Sequence, residues 1–591
     1  MALKKNTPDI TRPQGGALWR NVGMLIAIVW VGIFLFHANK ALGFYPLVIP
    51  DEYWYTSDLR HRAFSETVYP GYIYYALYSL TGFFGQFFFD AGRVLNALFF
   101  SLSAPFIFKL AALVCEKKIA LFVTALTLLS PFSGYTAYFM PESLYFTIFW
   151  ALAWLTIGCP SPSFFKNGIV AGAGIAILSL VKMHALFLLP GYILFILATT
   201  PRENFTRFCL DTGWAMGGMV AAFIVIRLGF GFAFAGIGGL NPLGSYAGFV
   251  ASGTDRPEWL TLIGYGLCSL VGHLIALAVL FILPLILAGI FACGKEARNR
   301  ASALYRMFFF SISLLIPLLF VTAGYSALFF AGNSDQDNPE ILSVNFRYYN
   351  FLFPGFIILA AGVLSGVKTN MRLHSRIPAV LLVVGAVVGV YAAIFSYGGY
   401  SLFAIPACPE LGGLATFPAG LEAGTLLLAA VTALAVLRPG LAAKIYLLAI
   451  LPLVFVVSTI GVQYQAIYGF GVFPEIYDKG GIFARDHLKE RCSDLTVVDS
   501  FIYSMTKALI HIDNGDTDML PQFTREVDVA QVAEGKEWLL VFGGLIVPDR
   551  YVESKIVFDD PALTPDLLQL MTARDDFRSM PRYTLIKLKK R

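Results

Sequence analysis

Two adjacent carboxylates, Asp51 and Glu52, stand directly after the first long apolar run, inside Ile49-Pro50-Asp51-Glu52-Tyr53-Trp54-Tyr55. Aromatic residues beside them suit a membrane–water boundary, and carboxylates at that depth are costly unless they serve a cavity or a site. The pair would equally suit the start of a solvated loop that caps a following helix. Other ionisable residues recur at the same level of the chain: Glu142 after Met140-Pro141, Lys182 and His184 in Lys182-Met183-His184, Arg227, and Arg347 with Tyr348 in Asn345-Phe346-Arg347-Tyr348-Tyr349. A carboxylate can take a proton from an acceptor hydroxyl. Cations facing it can stabilise charge as it develops on a leaving phosphate. Together they suit transfer of a group from a phosphate-linked donor.

Each residue also has a plainer role open to it. Glu142 would complement the dipole at the start of a helix, and Lys182 could run its stem along apolar surface to the interface. His184 would serve as a hydrogen-bonded packing residue, Arg347 would pair with Asp335 or Asp337, and Arg93 with Asn96 would tie a helix to the loop before it. Their placement at one depth favours a site over these separate readings.

The elements that must position them are membrane helices. The chain has 591 residues, 57% of them hydrophobic and 14% charged, with a mean hydropathy of +0.69. A soluble protein of this length could not hide so much apolar surface, whereas a bilayer solvates it. The net charge of +5 sits mostly in short turns between apolar runs and gives no reason to invoke nucleic acid. The seven cysteines include no CxxC pair and no metal-ligand spacing.

The N-terminus carries Lys4, Lys5, Arg12 and Arg20 before an apolar run from Val22 to Phe44. That run is too long for a signal sequence and reads as a retained helix with a cytoplasmic basic tail. Further spans are expected at Arg93–Val114, Ile119–Phe139, Ser143–Ile157, Cys209–Ile226, Leu260–Phe291 and Ala303–Phe330. One more follows Arg347, and others lie at Ile377–Phe395, Leu421–Val436 and Ile445–Ile467. Asn167–Thr200, basic on both flanks, reads as two short helices meeting near Lys182. The aromatic stretch from Tyr69 is expected to lie along the outer interface, within a long first outer loop, 45–92. This gives thirteen spans with Lys or Arg at each inner turn.

From about Tyr468 charge becomes frequent and apolar runs shorten. Leu495–Asp499, Trp538–Phe542 and Tyr583–Leu588 read as strands, with helices at Ser500–Ile510 and Asp566–Met571. The expected architecture is a polytopic helical membrane domain, 1–467, followed by a soluble α/β domain, 468–591. By parity the second domain lies outside the cytoplasm. Cys408 and Cys492 would then both lie in oxidising territory, as a disulfide or as two free thiols.

The Asp51-Glu52 opening, the long aromatic loop, Arg93-Val94-Leu95-Asn96, Met140-Pro141-Glu142 and Arg347-Tyr348-Tyr349 together resemble the GT-C superfamily of membrane glycosyltransferases. The layout is similar to the branch that contains the bacterial lipid A aminoarabinose transferase and to protein O-mannosyltransferases. The resemblance implies inverting transfer of a sugar from a polyprenyl-phosphate donor to a lipid, glycan or protein of the envelope, at the outer side of a bacterial inner membrane. It implies that Asp51 is the catalytic base and that Glu52 and Glu142 line the acceptor side. It also places Lys182, with His184, Arg347 and Tyr348, at the donor phosphate. No metal site is evident. Asp51, Glu52 and Glu142 could in principle hold a divalent cation through oxygen, but a donor linked through one phosphate does not require it. A monomer without nucleic-acid partners is expected. The rival classes are a transporter or flippase of a lipid-linked saccharide, which would show internal repeats, and a non-catalytic glycan-binding subunit, in which Asp51 could be replaced without loss of transfer.

Overall fold

The computed structural model describes residues 16–47, 51–202, 204–244, 259–293, 302–331, 344–366, 407–416, 438–467, 475–559 and 582–589, with isolated positions between 423 and 434. Most of the chain before 467 is helix. The elements that bear on the site are α1 (Gly16–Asn39), α2 (Asp51–His61), α3 (Tyr72–Tyr78), α4 (Phe88–Leu102), α5 (Ala104–Ala111), α6 (Lys117–Leu128), α7 (Glu142–Ala153), α8 (Phe164–Ser179), α9 (Leu188–Thr199) and α10 (Phe205–Ala235). They are followed by α11 (Trp259–Cys293), α12 (Ala303–Ala331), α13 (Phe353–Gly366), α14 (Pro409–Ala415), α15 (Pro439–Ile445) and α16 (Leu451–Gln465).

Among the described residues five stretches are long and apolar enough to cross a membrane: Tyr72–Ala111, Phe205–Leu240, Trp259–Phe281, Ala303–Leu328 and Gly440–Gln465. A sixth counts if Lys117–Leu128 and Pro131–Ala137, bent by 48°, form one broken span. The chain is therefore a multi-pass membrane protein by the length and composition of its helices. The expected span at Ile377–Phe395 lies outside the described residues, and most of the one at Leu421–Val436 does too.

Several helices break where the sequence reading runs them straight. Ser103 separates α4 from α5, and a 3₁₀ turn, Pro131–Ala137, follows α6. The two short helices expected between Asn167 and Thr200 form as α8 and α9, with a 3₁₀ turn, Met183–Phe187, between them.

The aromatic segment after Tyr69 divides into two parts. In α3, Tyr72, Tyr74, Tyr75 and Tyr78 are all buried inside the protein, so these tyrosines face the core and not lipid. The 3₁₀ stretch after it exposes Leu80, Phe83, Phe84 and Phe87, and bends at Gly85, whose φ of 55° a side chain would strain.

The helices α8 and α10 meet backbone to backbone. A methyl group on Gly168 would lie 2.0 Å from the Ala215 carbonyl oxygen, and one on Gly172 would lie 2.0 Å from that of Met219. This is the small-residue contact by which helices approach closely in lipid.

Beyond 475 the composition supports a different architecture. Two helices, α17 (Ile476–Leu488) and α18 (Ile502–Ile512), accompany five strands: β1 (Leu495–Asp499), β2 (Asp518–Pro521), β3 (Trp538–Phe542), β4 (Val552–Asp559) and β5 (Arg582–Leu588). The sheet order is β2-β1-β3-β5-β4. The first three strands are parallel, and β5 and β4 add antiparallel pairs. Every residue of β1 and β3 is buried, as expected for strands covered on both faces. One face packs Leu495, Val497, Leu540 and Leu585 against α17 and α18, and the other buries Val498, Leu539, Val541 and Ile586. The three strands read from the sequence all form. The helix expected at Asp566–Met571 lies outside the described residues. Cys408 and Cys492 are buried free thiols in separate cores, so no disulfide joins them.

Candidate active site

Asp51 is the first residue of α2 and Glu142 the first residue of α7. Both carboxylates therefore sit at the positive end of a helix dipole, where negative charge is stabilised. Lys182 follows α8 in extended conformation, and Arg347 lies in a 3₁₀ turn, Phe346–Tyr348, whose backbone amide donates to Ala407. Residues far apart in sequence thus meet at helix ends, where side chains can converge without breaking helical hydrogen bonds.

They form one ionic network. Arg347 donates from Nη1 to Asp51 Oδ2 at 2.5 Å and from Nε to Glu142 Oε1 at 2.7 Å. Lys182 Nζ donates to the same Glu142 oxygen at 2.9 Å. A further Arg347 nitrogen, Nη2, meets only the sulfur of Met140 among the described residues, at 3.1 Å, a weak acceptor. Glu142 and Lys182 are buried, at 4% and 6% side-chain exposure, while Asp51 keeps 33%. Asp51 is therefore the carboxylate of this network that an incoming molecule can reach.

Asp51, Lys182, His184, Arg347 and Tyr348 line a cavity of about 80 Å³, together with Tyr55, Tyr69 and Tyr325. A second cavity of about 420 Å³ shares Met183, His184, Tyr325 and Tyr348 with the first. Phe187, Leu243, Leu318, Val321 and Leu328 make its wall almost wholly apolar. His184 and Tyr348 stand at the junction, their rings 4.7 Å apart, and Lys182 Nζ lies 5.9 Å from the Tyr348 ring. Two buried polar atoms at this junction and beside it, His184 Nδ1 and Glu142 Oε2, have no hydrogen-bond partner among the described residues.

Glu52 is not part of this network. It is fully buried, and its two oxygens accept the amides of Leu47 (2.6 Å) and Phe139 (2.7 Å). It clamps the entry of α2 to the turn before α7. Adjacent residues on a helix point about 100° apart, so the site takes one of the pair and the scaffold takes the other. Arg93 likewise binds the carbonyls of Ala137, Phe44 and Tyr45, and Asn96 binds that of Tyr138; both tie α4 to the neighbouring segments. Arg227 lies within α10, and its Nη1 donates to Gly239. It holds the loop that brings Leu243 to the apolar cavity and does not line the polar one. Asp335 and Asp337 lie outside the described residues. No cluster of three or more His, Cys, Asp or Glu side chains suited to a metal exists among the described residues.

Some site residues carried little sequence signal. Tyr55 and Tyr69 read only as members of aromatic runs. Tyr325 lies inside a long apolar helix, where nothing in composition separates a lining residue from a core residue. Asp58 is also held: its Oδ2 accepts Val68 N–H, Tyr69 N–H and Tyr75 O–H at 2.8, 3.3 and 2.9 Å, and Arg62 pairs with Oδ1. Burial pushes its carboxyl up to about 6 despite these partners.

No family model matches this chain, and no curated protein sequence does. Among solved structures the chain is similar to ArnT from Cupriavidus metallidurans bound to undecaprenyl phosphate. The identity is 13%, with 96% of this chain and 98% of that one covered, at a TM-score of 0.43. It is also similar to the archaeal oligosaccharyltransferase AglB from Archaeoglobus fulgidus in complex with an inhibitory peptide and a dolichol-phosphate. There the identity is 11%, with 89% of this chain and 70% of that one covered, at a TM-score of 0.41. These likenesses assign no residue a role.

Proposed function

We propose that this chain is a membrane glycosyltransferase. It moves a sugar from a polyprenyl-phosphate donor to a hydroxyl of a lipid, glycan or protein acceptor outside the cytoplasm. The observation that carries the reading is the pair of adjoining cavities, one small and ionic, the other larger and apolar, meeting at His184 and Tyr348. A ligand that fills both must have an anionic head and a long hydrocarbon tail. An ionic cavity alone would suit many anions, and an apolar cavity alone would suit any lipid.

In this reading the donor phosphate enters beside Lys182 and Arg347 and competes with Asp51 for Arg347. Arg347 keeps its bond to Glu142 and turns its remaining N–H groups to the phosphate. Asp51, released from the cation, takes the proton of the acceptor hydroxyl. The acceptor oxygen bonds to the anomeric carbon as the bond from that carbon to the phosphate oxygen breaks. The leaving phosphate carries the electron pair, and Lys182 and Arg347 stabilise the added charge. Attack opposite the leaving group inverts the anomeric centre. Glu142 fixes both cations in place, and no step requires a metal. We assign residues 1–467 to the membrane domain, with thirteen spans, and 468–591 to a soluble domain on the same side as the site.

The test is transfer of labelled sugar from a synthetic polyprenyl phosphate by the purified chain in a bilayer. Lys182→Ala and Arg347→Ala should weaken donor use with part of the loss in KM. A chain that binds and moves lipid-linked saccharide across the bilayer without cleaving it would be a flippase, and this reading would fail.

A further inference from the structure

The helix that presents Asp51 is held at its other end by the soluble part of the chain. The eleven residues of α2 make a rod about 16 Å long, with Asp51 at the cavity and Arg60 and His61 in the last turn. Three carboxylates fix this rod. Glu52 and Asp58 bind segments of the membrane part. The third, Asp513, comes from the end of α18, some 450 residues away in the chain.

Its geometry is that of a fixed joint. Arg60 Nε donates to Asp513 Oδ1 at 2.7 Å and Nη2 to Oδ2 at 2.6 Å, the two-pronged pairing that sets angle as well as distance. The other side of the Arg60 guanidinium lies 4.2 Å from the centre of the Phe88 ring, at the start of α4. Arg60 is thus gripped between the membrane part and the soluble part. His61 Nε2 lies 3.0 Å from Asp513 Oδ1. Asp513 ends α18 in the left-handed region, at φ 51°, which Asp and Asn tolerate better than most residues. Beyond it, a methyl group on Gly515 would stand 2.7 Å from His61 Cβ, so the chain passes His61 too closely for any side chain. Nearer the cavity, Tyr53 packs on the core of the soluble part, and Tyr45 meets His511 edge-on at 5.8 Å.

We propose that Asp513 is a positioning residue: by holding Arg60 and His61 it sets the orientation of α2, and so the place of Asp51 in the cavity. The inference rests on the reading of Asp51 as the base. A displacement of about 1 Å at a reacting group can cost on the order of 10² in rate, so a joint at the far end of a short rod is felt at the chemistry.

The test uses the full chain in a bilayer. Asp513→Asn keeps size and backbone conformation but loses the ionic joint. Its α2 amides should exchange faster with deuterium, and turnover should fall by about tenfold with little change in donor KM. Asp513→Glu is the rescue variant, since it keeps the carboxylate that pairs with Arg60. It should return protection and turnover together, most of the way to those of the unaltered chain. Loss of turnover with α2 exchange unchanged, or no loss of either, overturns the proposal. So does Asp513→Glu with α2 protection restored and turnover still at the level of Asp513→Asn. If the unaltered chain transfers no sugar at all, the proposed function fails, while the exchange arm still tests the joint.

Discussion

Two groups of charged residues in this chain have nearly the same composition and different settings. One joins Asp51, Glu142, Lys182 and Arg347; the other joins Glu475, Asp478, Lys507 and His511. In the second group Lys507 Nζ reaches Glu475 at 3.0 Å and Asp478 at 3.2 Å, and His511 lies 2.8 Å from Asp478. Glu475 and Asp478 also form the reciprocal cap at the start of α17. Those bonds close on one another, and what they hold is the packing of α17 on α18. Each group keeps one carboxylate about a third exposed, Asp51 in the first and Glu475 in the second; in the first, an arginine nitrogen meets only a thioether among the described residues, and the network lines a cavity. The same residue types make a fastening in one place and a candidate site in the other. The difference is whether the network borders a cavity.

That contrast can be broken most sharply at Asp51. Asp51→Asn keeps the shape of the first group but removes its base, and transfer should fall by roughly 10² to 10⁴ with the thermal midpoint in detergent nearly unchanged. Near-normal turnover in a folded variant would place the base elsewhere. The second group should behave in the opposite way. Lys507→Met leaves the fully buried Asp478 with His511 and the Glu475 amide as its partners, so the cost should fall below that of a buried pair broken outright, about 3–5 kcal/mol. A drop in thermal midpoint with little change in turnover per folded molecule is expected; the reverse pattern would mean that this group, too, serves the reaction.

Glu52 gives a smaller effect with the same logic. Glu52→Gln keeps one acceptor oxygen but presents an N–H₂ to the amide of Leu47 or Phe139, which should cost about 1–3 kcal/mol. Its activity loss should be recovered at lower temperature, where the fold is intact, whereas that of Asp51→Asn should not.

The smallest effect is a pH dependence at the α2–α18 joint. Burial alone pushes the Asp513 carboxyl up, but the hydrogen bonds from His61 and Arg60, with their charge, outweigh it and hold it below the usual carboxylate range. A carboxylate held low contributes stability that is fully present above its unfolded pKa, about 3.9, and is lost as pH falls through its folded pKa. Protection of the α2 amides should therefore decline in acid below about pH 4 in the unaltered chain. In Asp513→Asn that component should be flat, and an identical decline in both would assign it to other groups.

The sequence carried much of this and hid the rest for physical reasons. Asp51, Glu142, Lys182 and Arg347 could be placed at one level because each sits where an apolar run ends, and runs of that length have few ways to cross a bilayer. The strands β1, β3 and β5 were legible from short β-branched and aromatic runs. The split between Asp51 and Glu52 was not, since two adjacent carboxylates differ only in which way a helix turns them. Tyr325 was hidden by its apolar context, whereas the tie of Arg93 to the segment before its helix was legible. The joint between Arg60 and Asp513 pairs residues whose separation along the chain leaves no periodicity to read. The break at Ser103 and the 3₁₀ turn after α6 also escaped, because hydropathy does not distinguish a straight helix from a broken one; the break after α8 was legible from the basic flanks on both sides.

The seam of glycines between α8 and α10 makes the lipid itself a participant. With 31 residues α10 is about 46 Å long against a hydrocarbon layer of about 30 Å, and much of its surface, including Trp214, Val220, Val225 and Phe232, is exposed. Such a helix answers a thinner or thicker bilayer by tilting. Because Gly168 and Gly172 leave no room for a methyl group against Ala215 and Met219, α8 cannot stay behind when α10 leans. Lys182 stands just past the end of α8. Reconstitution into lipids of graded acyl-chain length should show turnover passing through an optimum. A rate indifferent to chain length would show that the lean of α10 stops at the seam.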